Sequence, residues 1–306
     1  MRRKKSTTKK IISRLLALLI IAMLGLFGLT YHQEIKNFAK GFLPVAVQKN
    51  KIKTSRSQDA IKKKKSTVDD EKATWTKQTE QVKMPILMYH AVHVMGPEET
   101  ANANLIINPK IFEEQIKALK EAGYYFLSPQ EAYRVLSQNE LPSSKVVWLT
   151  FDDSMEDFYT TAFPILKKYQ AKATNNVITG FTENQRPENL TLEQMREMKQ
   201  FGMSFQDHTV NHPDLSVSDP QTQEYEMKAS KNFLDHNLNQ ETIAIAYPSG
   251  RYSDTTLDIA KRLHYKLGVT TNEGLASAAN GLLSLNRVRM MPNTNPQALL
   301  TYINTN

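Results

Sequence analysis

The chain predicts an α/β protein whose folded part is a parallel sheet or barrel, and three observations carry that prediction. From Met84 onward, short apolar runs alternate with segments of helical periodicity, the pattern of repeated strand–helix units. Two of the helical segments stop at a glycine, Gly123 and Gly202, a residue suited to ending a helix. Asp152, Asp153, His208 and Pro248 each stand next to the end of a predicted strand, where parallel α/β folds gather their functional residues.

The N-terminal third has a different texture. Residues 1–10, MRRKKSTTKK, are cationic, and an apolar run follows from Leu15 to Tyr31. As a helix this run rises about 25 Å, slightly short of a ~30 Å hydrocarbon core. A snorkelling Arg14 would let Ile11 and Ile12 lengthen it. No convincing small-x-small cleavage site follows, so residues 1–31 read as a cytoplasmic basic segment and an uncleaved signal anchor. A cleaved signal peptide and a buried core helix are the alternatives. The basic flank stays in the cytoplasm and directs the rest outward. This places the protein at the cell membrane as a single-pass chain with an extracellular catalytic domain, or makes it secreted if the segment is cleaved. Residues 32–83, rich in Lys, Gln, Ser and Thr and containing Lys62–Lys65, hold too few apolar residues for a core and read as a tether. A flexible coil of that length spans roughly 40 Å. Trp75 falls inside it and reads as exposed.

Residues 84–306 form the predicted domain. Pro85–Tyr89 is a first buried strand, and Pro109–Ala122 a helix with Ile111, Phe112, Ile116 and Leu119 on one face. Tyr124–Leu127 is a short strand, Pro129–Leu136 a helix, and Val146–Phe151 (VVWLTF) a strong buried strand. Asp157–Tyr169 is predicted helical, Ala173–Thr179 extended, Leu192–Phe201 helical and Met203–Gln206 a strand. The long helix Asp219–Leu238, the strand Ile243–Tyr247, the helix Asp254–Leu263 and the strand Leu267–Thr270 follow. Arg287–Met291 is the last strand and Pro296–Ile303 a closing helix.

Charge and cysteine usage exclude several classes. Lys and Arg outnumber Asp and Glu 20 to 6 in residues 1–83, whereas acids lead 25 to 19 in residues 84–306. The net +8 is therefore +14 on the first part against −6 on the rest. Nucleic-acid binding needs its basic patch on the folded part, so no nucleic-acid partner is expected. The chain has no cysteine, which removes disulfides, thiolate metal sites and cysteine nucleophiles.

Two segments carry the chemistry. His208 and His212 lie four apart and can offer two imidazoles to one metal ion from a single turn. A carboxylate from a strand end would complete three protein ligands, the arrangement of a catalytic zinc site. The helical protease motif places a glutamate after the first histidine, but Thr209 stands there. Pro213 also disfavours helical geometry at His212. The general base must then come from elsewhere, and Asp152 is the natural candidate. Within Asp152-Asp153 one carboxylate can bind the ion while the other takes a proton; a helix N-cap is the plain alternative.

With these residues in view, the segments MPILMYH (84–90), LTFDD (149–153), FPILKKYQAKAT (163–174), HTVNH (208–212) and AYPSGRYS (246–253) resemble, in order and spacing, polysaccharide deacetylases of the NodB-homology type, carbohydrate esterase family four. The resemblance implies a distorted (β/α) barrel and one divalent metal, usually zinc, held by Asp153, His208 and His212. It implies Asp152 as general base and removal of N-acetyl groups from an N-acetylglucosamine polymer, either peptidoglycan or poly-N-acetylglucosamine. The oxyanion would rest on the metal and on a backbone N–H near Ser249.

The chain departs from the family pattern at three places. Leu285-Asn286-Arg287 stands where many relatives have Leu-x-His. Ala246-Tyr247-Pro248-Ser249 replaces Arg-x-Pro-Tyr, and Ser154 replaces the usual glycine after the aspartates. The Tyr-Pro-x-Gly form, with Arg287 and Arg289, resembles the branch that includes poly-N-acetylglucosamine deacetylases. His90 is then the candidate general acid, against an ordinary backbone-bonded histidine. Arg287 could hold the base, a sugar oxygen or an unrelated ion pair. Tyr247 and Tyr252 flank the proline loop and could stack on a sugar, with packing as the equal alternative; Trp148 reads as core. An O-acetyl polysaccharide esterase and a non-catalytic glycan-binding module are the competing functions.

Overall fold

The structure, a computed structural model, describes residues 74–304. The expected signal anchor and all of the tether before residue 74 lie outside the described residues. Among the described residues no helix is long and apolar enough to cross a membrane.

Seven parallel strands close a barrel. They are β1 (Ile86–Tyr89), β2 (Val146–Phe151), β3 (Ala173–Val177), β4 (Met203–Asp207), β5 (Ala244–Ala246), β6 (Leu267–Glu273) and β7 (Leu285–Arg289). They follow one another in spatial order, and β1 pairs with both β7 and β2 to complete the ring. A short strand, Tyr125–Phe126, adds to the outer side of the sheet by pairing with β2. The helices are α1 (Pro109–Glu121), α2 (Pro129–Gln138), α3 (Phe163–Lys168), α4 (Thr179–Glu183), α5 (Leu192–Lys199), α6 (Pro220–Leu238), α7 (Asp254–Arg262) and α8 (Pro296–Tyr302).

Strand alternation sorts the apolar residues into layers. Ile86, Trp148, Ala244, Ala246, Leu267, Val269 and Leu285 form one cluster, the barrel interior. Leu87, Tyr89, Leu149, Phe151, Phe205 and Val288 belong to another, shared with α1 and α5 residues such as Phe112, Ile116 and Met195. Trp148 is fully buried, and its indole N–H donates to Thr174 Oγ1 at 2.7 Å, so it is core as expected. The expected glycine stops are present: Gly123 and Gly202 have φ of 81° and 88°, a region that costs other residues strain.

The structure refines several boundaries. Residues 158–162 form a π-helical turn leading into α3. The third strand ends at Val177, and Thr179 opens α4. β6 continues to Glu273 through a register shift against β7, which itself begins at Leu285. Residues 74–83 run along the domain: Thr76–Lys77 pairs antiparallel with Glu140–Leu141. Trp75 is half-buried rather than exposed, with the Arg134 guanidinium 4.2 Å from its ring centroid.

Candidate metal centre and active site

Asp152 leaves the end of β2 with its N–H on Tyr89 O at 3.0 Å. Its carboxylate is almost fully buried and has three donors. Arg287 of β7 gives Nη1 to Oδ1 at 2.9 Å and Nη2 to Oδ2 at 2.7 Å, and Asn176 of β3 gives Nδ2 to Oδ1 at 2.7 Å. Arg287 is anchored in turn by Nε on Thr270 O at 2.7 Å and Nη1 on Thr150 Oγ1 at 3.2 Å. Burial alone would raise the Asp152 pKa, but the Arg287 charge, followed by His208, outweighs it and holds the carboxyl far below the usual range. Asp152 is therefore ionised throughout the physiological pH range.

The next residue turns away. Asp153 has φ 75° and Ser154 φ 52°, which lets two consecutive carboxylates serve different partners. His208 and His212 bring Nε2 to 3.3 and 3.6 Å from Asp153 Oδ1. One ligand atom from each of the three residues lies within 4.8 Å of the others. The Nδ1 of His208 sits 2.7 Å from Ala246 O; donation there leaves the Nε2 lone pair for a metal. Two imidazoles and a carboxylate suit zinc and related divalent ions, so these residues fit the implied group. Thr209 (φ 68°), His212 (φ 60°) and Ser249 (φ 54°) also occupy the left-handed region. Such residues cost on the order of 1–3 kcal/mol each and need the surroundings to hold them.

Those surroundings were not legible in the sequence. Glu226 of α6 accepts from the N–H of Val210 and Asn211, at 3.0 and 2.8 Å, and from Asn211 Nδ2 at 2.8 Å. Thr209 Oγ1 accepts the His212 N–H at 3.0 Å, and Asp207 Oδ1 accepts that of Thr209 at 2.5 Å. Gly180 donates to Val210 O at 2.9 Å, where a Cβ would lie 2.6 Å from that oxygen. Asn189 Nδ2 ties the Asp153 carbonyl at 3.0 Å.

The other sequence candidates divide. His90 shares a cavity of about 260 Å³ with Asp153 and His93. Burial, together with Arg287 and Arg289, lowers its pKa against the pull of Asp152 and Asp153, so the imidazole is neutral at pH 7. His93 bridges Asp157 and Glu99 at 2.7 and 2.9 Å and is held structurally. Tyr247 points outward into the cluster of Leu215, Met227, Ile259 and Tyr265, with its hydroxyl on Leu283 O at 2.9 Å. Its ring is fully buried, so it packs and offers no face to a sugar. Pro248–Gly250 forms a tight turn in which the Gly250 and Arg251 amides bond to Tyr247 O and Pro248 O.

The family profile described as polysaccharide deacetylase matches residues 139–268. Bacillus subtilis (strain 168) YxkH, named provisionally as a polysaccharide deacetylase, is 39% identical over 261 residues, 85% of this chain and 88% of its own. The chain belongs to the polysaccharide deacetylase family. The structure of the Streptococcus pyogenes deacetylase PplD in complex with acetate is similar to this deacetylase at 71% identity and a TM-score of 0.72, covering 74% of this chain and 100% of that one. A poly-β-1,6-N-acetyl-D-glucosamine N-deacetylase of Staphylococcus aureus (strain MRSA252) is 31% identical over 182 residues, 56% of this chain and 62% of its own.

In this deacetylase the arginine that family relatives often carry in the proline loop has a spatial substitute. The loop offers Ala246, and Arg287 reaches the Asp152 carboxylate from inside the barrel instead. Asn176 was missed because a single asparagine in a strand carries no sequence signal. Its alternation with Asn175 on β3, placing it on the same face as Thr174, was the available hint.

Proposed function

We propose that the protein is a metal-dependent hydrolase that removes N-acetyl groups from an N-acetylglucosamine-containing polysaccharide of the cell wall or extracellular matrix. The observation that carries this reading is the pairing of an anchored, ionised Asp152 with the neighbouring Asp153, on which His208 and His212 converge from the loop after β4. The Staphylococcus aureus relative's name supports an amino-sugar polymer, and acetate in the PplD structure is what such hydrolysis releases.

Asp153, His208 and His212 would hold one divalent ion, zinc by the chemistry of its donors. When bound, such an ion polarises a carbonyl and brings the pKa of a water toward about 7. Asp152 takes the water's proton, while Arg287 and Asn176 keep its carboxylate aimed. The tight hold of Arg287 makes Asp152 a weak resting base, which suits transient acceptance rather than storage of the proton. The Ser249 N–H is the turn amide left to meet the developing oxyanion. His90 is the candidate donor to the leaving amine. Because it rests neutral, it must gain its proton during the reaction. At its N-terminus the chain is proposed to be anchored in the cell membrane with this domain outside.

Acetate release from the purified protein with zinc tests the function. Peptidoglycan, N-acetylglucosamine oligomers of both linkages and acetylated xylan are the substrates to compare. Release from xylan alone would replace this reading with an O-acetyl esterase, and release from none with a glycan-binding module.

A further inference from the structure

A second cavity, of about 640 Å³, opens beside the site, within the ~300–1,000 Å³ range of ligand pockets. One side of it is built from segments that leave the C-terminal ends of β2 and β3, the end of the barrel that carries the metal ligands, and the other from α5 and from Phe233 of α6. Glu156 comes from the loop after β2, and Glu183, Arg186 and Asn189 from the segment after β3. The loop after β2 is a wall of both cavities. Asp153 and Met155 line the smaller one with His90, while Glu156 lines the larger. Met155 pairs with Asn189 in an antiparallel bridge, flanked by Leu190 N–H on Ser154 O and Glu156 N–H on Glu188 O, both 2.8 Å. The divide between the cavities is thus a single loop tied to the backbone of Asp153.

The lining suits a sugar. Leu192 and Phe233 supply apolar surface, and Gln185 supplies an exposed amide. Its charge is more specific. The lining carries three carboxylates, Glu156, Glu183 and Glu193, against one guanidinium, that of Arg186, which lies 3.7 Å from the centroid of the Phe181 ring. Glu156 is bonded by the Gln194 amide at 3.3 Å and the Thr160 hydroxyl at 3.0 Å, neutral donors that leave its charge uncompensated.

We propose that this groove is a remote subsite for the polymer and that it favours a unit whose nitrogen is already a free ammonium over an N-acetylated one. The proposal rests on the deacetylase reading above. A chain lying in both cavities passes over the metal-bearing loop, so internal units are substrates and a deacetylated unit promotes reaction near it. The groove is solvent-exposed, so the preference is a few-fold and weakens as salt rises.

The test is calorimetry on the full-length chain carrying Asp152→Asn, with glucosamine hexamer and N-acetylglucosamine hexamer as probes. This substitution slows turnover beyond the time of a titration, and the variant is first shown by a thermal melt to be folded, because it leaves the Arg287 charge unpaired. At low salt the glucosamine hexamer should bind a few-fold more tightly. Glu183→Gln with Glu193→Gln should remove the difference, as should about 0.5 M salt. Both substituted positions are exposed, so the fold is not at stake. Equal affinity for the two hexamers, or a preference unchanged by the double substitution, overturns the subsite. Failure of the unsubstituted chain to release acetate from any acetylated oligomer overturns the deacetylase reading instead, while the binding difference still decides the groove.

Discussion

Arg287 grips Asp152 with both terminal nitrogens, Nη1 on Oδ1 at 2.9 Å and Nη2 on Oδ2 at 2.7 Å, and the two side chains are 0% and 3% exposed. Removing one partner of such a pair strands a buried charge. Arg287→Met should therefore lower stability by about 3–5 kcal/mol. Arg287→Lys keeps the charge but loses the fork, so it should unfold less readily than Arg287→Met yet lose kcat about tenfold or more with KM little changed. Thermal melts and acetate-release kinetics on the two variants check this. Equal kcat in Arg287→Lys and the parent would show that the fork does not aim the base.

Asp152→Asn keeps the size of the side chain and removes its ability to take a proton, at a cost in stability because the buried Arg287 loses its counter-charge. It should retain one divalent ion per chain and lose about 10²–10⁴-fold in kcat. Elemental analysis alongside acetate release measures both, and full activity would end the assignment of Asp152 as base.

Metal removal should stop the reaction. Chelation should abolish acetate release, and added zinc should restore it. His208→Ala and Asp153→Ala should bind no ion at concentrations that load the parent, because each removes one of three converging ligands. An ion retained in both variants would place the metal elsewhere.

Glu226 touches no ligand side chain but holds the histidine loop through three hydrogen bonds. Glu226→Ala should weaken zinc affinity about 10–100-fold, the usual cost of losing a group that orients ligands. A titration against a competing chelator reads it. Unchanged affinity would mean that the loop holds its left-handed residues without α6.

Asp207 gives a pH signature. Burial pushes its carboxyl up to about 7, against hydrogen bonds from Tyr265 and Thr209 that pull it down. The unfolded chain has an Asp pKa near 3.9, so between roughly pH 4 and 7 the folded state holds the extra proton. Stability then falls as pH rises through that window, by roughly 4 kcal/mol at most. Asp207→Asn should flatten this part of the profile, as urea denaturation at pH 5 and pH 7.5 would report. Parallel profiles for the two proteins would refute it.

The order of elements was written in the sequence because each depends on near neighbours. The apolar run Val146–Phe151, the spacing of Phe112, Ile116 and Leu119, and the glycines at 123 and 202 are local signals, and each element appeared within a few residues of its expected place. The aspartate pair and the two histidines were also legible, since their spacing is itself a chemical statement. Pro213 foretold a non-helical His212. Closure of seven strands into a ring was implied by the family resemblance, but no local pattern in the chain carries it, and tertiary structure alone decides how the ring closes. Closure sets which residues look inward, and that put Arg287 from the last strand against Asp152 from the second while turning Tyr247 away from the site. Partners separated by 135 residues, such as these two, leave no periodic trace. Their meeting depends on strand register and barrel geometry, which the whole chain fixes together.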